Sequence, residues 1–152
     1  MGAVTYPNEK VIHFLDYNFV PVQIPTANTE MVSKFSVTWT PTLIVMDAEG
    51  KEKQRVVGFL PPEEFIPTFM AAKGRWHFDA EQYSQANALF EEVLASYPES
   101  QAAPEALYFK GVSQYKTTHD PKPLREAYDA LTAKYPQSEW TKKALPYRLI
   151  EK

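Results

Sequence analysis

Few residues in this chain can do chemistry, and their spacing limits what they can do. There is no cysteine, which removes thiolate nucleophiles, disulfides, Cys-ligated zinc and dithiol redox centres. The three histidines, His13, His77 and His119, are too far apart in sequence to form a ligand pattern. His13 and Asp16 share a helix face at i, i+3, which is a pair and not a metal site. No metal is expected, and the histidines read as surface or helix-packing residues. Glu63-Glu64 and Glu91-Glu92 are adjacent acids; neighbours point to different faces of a helix, so neither pair is a carboxylate dyad. No Gly-rich phosphate loop, Gly-x-Ser-x-Gly or His-Glu-x-x-His occurs. These residues assign no catalytic group, no metal and no cofactor, and the chain's work must be sought in surfaces.

Composition narrows the partner. The chain has 152 residues, 44% hydrophobic and 14% aromatic, enough for a packed core in one ordinary domain or two small ones. The net charge is −3, and a nucleic-acid binder usually carries a basic surplus, so no nucleic-acid partner is expected. No apolar run approaches the about 20 residues of a membrane span. Residues 1–7 have neither the basic region nor the apolar core of a signal peptide, which favours a soluble, cytoplasmic protein. Thirteen Pro against five Gly suggests helices with Pro-punctuated turns.

Two textures meet near residue 65. Asn8 can cap a helix over residues 8–18, with Val11, Ile12, Leu15 and Phe19 at helical spacing. Val20-Pro21-Val22-Gln23-Ile24 is a short apolar run that predicts a strand. Asn28 or Thr29 can cap a brief helix through Met31, Val32 and Phe35. Thr42 to Met46 is a continuous apolar run, expected to be a buried strand. Asp47-Ala48-Glu49-Gly50 signals a hairpin turn, with the return strand between Lys51 and Gly58. Pro61-Pro62-Glu63-Glu64 starts a helix. Pro67 in mid-helix would cost about 3 kcal/mol. It therefore predicts a kink or break at 66–68, or a helix that starts only a few residues earlier. Trp39, Trp76 and Trp140 are expected in the core, and Phe69, Trp76, Phe78 and Tyr83 are expected to join the sheet region to the helices that follow.

Beyond residue 65 strand signals vanish and the chain repeats. Tyr97-Pro98-Glu99-Ser100 returns as Tyr135-Pro136-Gln137-Ser138, an offset of 38. Ala106-Leu107 returns as Ala144-Leu145, Phe90 as Tyr128 and Val93 as Leu131 at the same offset, and Gly74 recurs as Gly111 at 37. A helical texture with such a period means stacked helical hairpins. With Gly74, Ala86, Phe90 and Pro98 in one copy and Gly111, Tyr128 and Pro136 in the next, this half resembles tetratricopeptide repeats, although Leu124 stands where Ala86 did. Gly and Ala let two helices approach, Phe90 fills the gap, and Pro stops each hairpin. A third first-helix near Trp140 suits a terminal cap. The resemblance implies a peptide or partner protein as ligand. Successive first helices form the concave face in that family, which makes His77, Tyr108, Lys110, Gln114 and Tyr115 the candidate groove residues.

The first half resembles the C-terminal two-thirds of a thioredoxin-like domain. Phe35 to Val45, containing Trp39-Thr40-Pro41-Thr42, carries the resemblance, followed by the Asp47–Gly50 turn, Gly58 and the Pro61-Pro62 helix start. Thr5 to Glu9, with Val11, Phe14, Leu15 and Phe19-Val20-Pro21-Val22, adds to it. The resemblance implies a cis Thr40–Pro41 bond and a turn, Thr40, Pro41 and Thr42, that offers backbone groups to an extended substrate. It also implies that the family's first strand, first helix, central strand and Cys-x-x-Cys would lie before Met1. The strands at 20–24 and 42–47 would then both lack their shared partner, and each would expose an unpaired edge.

The expected architecture is α/β followed by all-α: a truncated thioredoxin-like unit over 1–66 and tetratricopeptide-like hairpins over 67–152, moving as one rigid body. The expected function is a non-catalytic interaction module for a protein or peptide, with a possible homodimer covering the sheet edges. The alternative is the C-terminal portion of a thiol–disulfide oxidoreductase whose cysteines lie upstream of Met1.

Overall fold

The computed structural model describes residues 1–151. It divides into two compact units, Met1–Phe65 and a second from Ile66 onward.

The first unit is α/β. Helix α1 (Glu9–Asn18) starts where Asn8 accepts hydrogen bonds from the Lys10 and Val11 amides. Such a cap satisfies amides that have no partner within the helix. Helix α2 (Thr29–Lys34) begins the same way, with Asn28 accepting from the Met31 amide at 3.1 Å. Strands β1 (Thr42–Met46) and β2 (Glu52–Val57) form a two-stranded antiparallel sheet, with Thr42 opposite Val57 and Ile44 opposite Arg55. The turn between them holds because Asp47 accepts from the Lys51 amide at 2.8 Å and Gly50 takes φ +79°, a left-handed conformation that favours glycine. The core is thin: within Met1–Phe65 only Thr5, Val11 and Phe65 are buried. Thr5 earns its place in that core because its hydroxyl donates to the Leu60 carbonyl at 2.7 Å.

Two expectations are corrected here. Residues 20–24 do not form a strand; they are irregular and exposed, with Val20 at 91% and Val22 at 77%. A strand exists only through its ladder, and among the described residues no backbone group bonds this run. Trp39 is not a core residue but 68% exposed, because it stands in the irregular approach to Pro41 and not on a packed element.

Helix α3 (Pro62–Asp79) contains Pro67 and runs unbroken through 66–68. It starts five residues before Pro67, so the ring costs only the bond to the Glu63 carbonyl, on an exposed residue.

The second unit is all-α. Helices α4 (Tyr83–Ser96), α5 (Ala103–Thr118) and α6 (Lys122–Lys134) are followed by a short α7 (Glu139–Lys143) and a 3₁₀ turn at Leu145–Leu149. Small residues set the spacing of adjacent helices. A Cβ on Gly74 would lie 2.5 Å from the Phe90 ring, and one on Gly111 would lie 2.6 Å from the Ala127 Cβ. Ala86, Phe90 and Val93 bury one stripe of α4, and Leu124, Ala127 and Leu131 bury the matching stripe of α6. Both helices end at the second residue before a proline, because the residue between, Tyr97 or Tyr135, is barred from helical backbone. Phe109 is the hub: its ring lies within 6 Å of Phe78, Phe90, Tyr108 and Trp140, joining α3, α4, α5 and α7.

Candidate functional sites

Each unit carries one candidate surface. In the first, the chain turns at Thr40-Pro41-Thr42, and the Thr40–Pro41 peptide is cis. The Thr42 hydroxyl donates to the Trp39 carbonyl at 2.6 Å, and the Pro41 carbonyl accepts from the Gly58 amide at 2.8 Å. Pro41 and Thr42 are therefore engaged in holding the turn, and Trp39 and Thr40 are the exposed members. A pocket of about 250 Å³ opens beside them, lined by Thr26, Val32, Val37, Thr38, Trp39 and Thr40. None of the six titrates. The pocket can hold an apolar group and bond a backbone, but it supplies no acid, base or nucleophile.

The second surface lies on α5 and its neighbours. Tyr108 and Tyr115 are seven residues apart and share one face of α5. Lys110 and Gln114, at i, i+4, lie on the far side, and Lys110 pairs with Glu91 of α4 at 3.2 Å. His77 is hydrogen-bonded through Nδ1 to the Gln82 Oε1 at 2.6 Å. Helix periodicity thus places Tyr108 with Tyr115 on one face of α5 and Lys110 with Gln114 on another.

What joins Tyr108 on that face is a row of charged and aromatic residues. Arg75 Nε of α3 lies 2.9 Å from Glu105 Oε1 of α5. Burial pushes the Glu105 carboxyl above the usual carboxylate range, while Arg75 and Lys143 pull it back and Glu139 pushes it further. Glu105 and Tyr108 are one turn apart on the same stripe. The Tyr108 and Tyr147 hydroxyls are 3.0 Å apart, and Trp140 packs against Tyr108 with Lys143 4.0 Å above its ring. Burial, then the Tyr108 hydroxyl, push the Tyr147 phenol well above the ordinary tyrosine value. The sequence reading missed Arg75, Glu105, Trp140 and Lys143 as members of this face. Trp140 and Lys143 both lie on α7, three residues apart.

Family comparison bears on the first unit and the start of α3. Residues 4–73 match the family model of the thioredoxin-like domain. The chain is thus a thioredoxin-like segment, with a two-stranded sheet, followed by an all-α region. Neither the curated proteins nor the solved structures yield a significant match. Among the described residues no helix is long and apolar enough to cross a membrane, and no three His, Asp or Glu gather as a metal site.

Proposed function

We propose that this chain is a protein-interaction module in which tetratricopeptide-like hairpins present the α3–α5–α7 face to an extended peptide or a segment of a partner protein. The observation that carries this reading is the row Arg75, Glu105, Tyr108, Trp140 and Lys143, which runs across α3, α5 and α7. The close approaches at Gly74 and Gly111, one per hairpin, support the repeat reading. Aromatic rings give contact area at small entropic cost, and the flanking charges give orientation. Peptides selected from a display library against the whole chain test it. Tyr115→Ala and Lys143→Ala should each weaken the selected peptide several-fold, and unchanged affinity in both refutes the assignment.

A second reading draws on the thioredoxin-like match and the pocket beside Trp39 and Thr40. Here the chain is the C-terminal portion of a thiol–disulfide oxidoreductase, Pro41 positions a substrate backbone, and the helical region selects the client. With no cysteine in the chain, the dithiol must come from upstream. This polypeptide should not reduce insulin above buffer. An in-frame Cys-x-x-Cys just upstream of Met1 would favour this reading, and a stop codon there would remove it.

A further inference from the structure

The helical unit holds one segment of its own chain in the manner of a bound peptide. Helix α7 ends at Lys143 and does not continue past Pro146, whose ring offers no N–H to the carbonyl four residues back. The chain proceeds instead as the 3₁₀ turn Leu145–Leu149. The leucines do not hold that turn in place, since Leu145 is 46% exposed and Leu149 79%.

Two residues from other helices hold it. Arg125 Nη1 of α6 donates to two main-chain carbonyls, Arg148 at 2.6 Å and Ile150 at 2.9 Å. Arg125 Nε donates to Asp129 Oδ1 at 3.0 Å, one turn along α6, which fixes the guanidinium. On α5, the Tyr108 ring stacks on Tyr147 at 5.9 Å, and the two hydroxyls are 3.0 Å apart. A main-chain carbonyl is the same in every residue, so Arg125 recognises backbone and not sequence. Tyr108 recognises an aromatic ring with a hydroxyl. Neither contact requires that the segment belong to this chain.

We propose that Tyr108 and Arg125 form a peptide site that residues 145–150 of the chain itself occupy, and that a partner segment of the same chemistry displaces them. Such a segment presents a tyrosine with main-chain carbonyls one and three residues beyond it, the pattern of Tyr147, Arg148 and Ile150. This rests on the interaction reading above and deepens it, because Tyr108 belongs to both. The tethered occupant competes at high local concentration, so an outside segment binds only the fraction of molecules in which the turn has lifted.

The probe is a synthetic peptide of residues 144–151, titrated into the isotope-labelled whole chain. In a Tyr147→Ala chain the tethered turn loses its ring and hydroxyl contacts. The probe should bind that chain roughly tenfold more tightly than wild type, with shifts at Tyr108 and Arg125. Adding Arg125→Ala to the same chain should weaken the probe roughly tenfold. A probe that itself carries Tyr147→Ala should not bind. Arg125 and Tyr147 are half-buried, and circular dichroism should show each variant chain still helical. Equal affinity for wild type and Tyr147→Ala overturns the proposal. So does a probe that binds without its tyrosine, one indifferent to Arg125→Ala, or one that binds no form of the chain. If the probe fails while display-selected peptides still shift Glu105 and Lys143, this site is refuted and the α3–α5–α7 face stands.

Discussion

The substitution Gly111→Ala tests the packing of the helices at one of their two close approaches. Two effects oppose each other. Alanine is a better helix former than glycine by about 1 kcal/mol in a helix interior. The added methyl, however, would sit 2.6 Å from the Ala127 Cβ and 2.8 Å from the Pro123 carbonyl oxygen. Neither neighbour is the mobile end of a long side chain, so the hairpin itself must open. Overpacking of this kind costs roughly 1–3 kcal/mol. Two contacts under 3 Å put the cost in the upper part of that range, about 2–3 kcal/mol, so the steric effect should win by about 1–2 kcal/mol. For a chain of this size that lowers Tm by roughly 2–8 °C. Urea unfolding followed by helical circular dichroism measures it. Ala88→Gly, at an exposed position of α4, calibrates the propensity effect in the same protein and should cost about 1 kcal/mol. A Gly111→Ala variant as stable as the wild type, or more so, would refute the close-approach argument.

Thr5→Val leaves the Leu60 carbonyl without its 2.7 Å donor and should destabilise the first unit by about 1–2 kcal/mol in urea titration. Asn28→Ala removes the α2 cap and should cost about 1 kcal/mol, with faster amide exchange at Met31. Glu105 has a folded-state pKa raised mainly by burial, so the protonated form favours the folded state. The stability it contributes is full below its unfolded pKa and is lost as pH rises through the folded value; Glu105→Gln should flatten that part of the stability–pH curve. Tyr108→Phe removes one of the groups holding the Tyr147 phenol up, and alkaline titration followed by ultraviolet absorbance should show Tyr147 ionising at lower pH.

The local features of this chain were legible because each has a local cause. Asn8 and Asn28 cap the helices they precede, the Asp47–Gly50 turn joins the two strands, and Pro98 and Pro136 follow the ends of α4 and α6. What was not legible depends on a distant partner. The apolar run at 20–24 has strand composition, but composition supplies no ladder. Trp39 reads as core by residue type, yet its position at the turn leaves it in solvent. Phe109 escaped notice because α5 packs on several sides, burying Ala103, Ala106, Gly111 and Ser113, so no single stripe marks the hub. The Arg75–Glu105 contact joins residues thirty positions apart, a spacing that neither helix periodicity nor the repeat offset marks.

The claim that the α3–α5–α7 face receives a peptide is tested most directly by chemical-shift mapping with a display-selected peptide. Shifts should concentrate at Glu105, Tyr108, Tyr115, Trp140 and Lys143. Shifts confined to Trp39 and Thr40, or to the Lys110 and Gln114 side of α5, would contradict it.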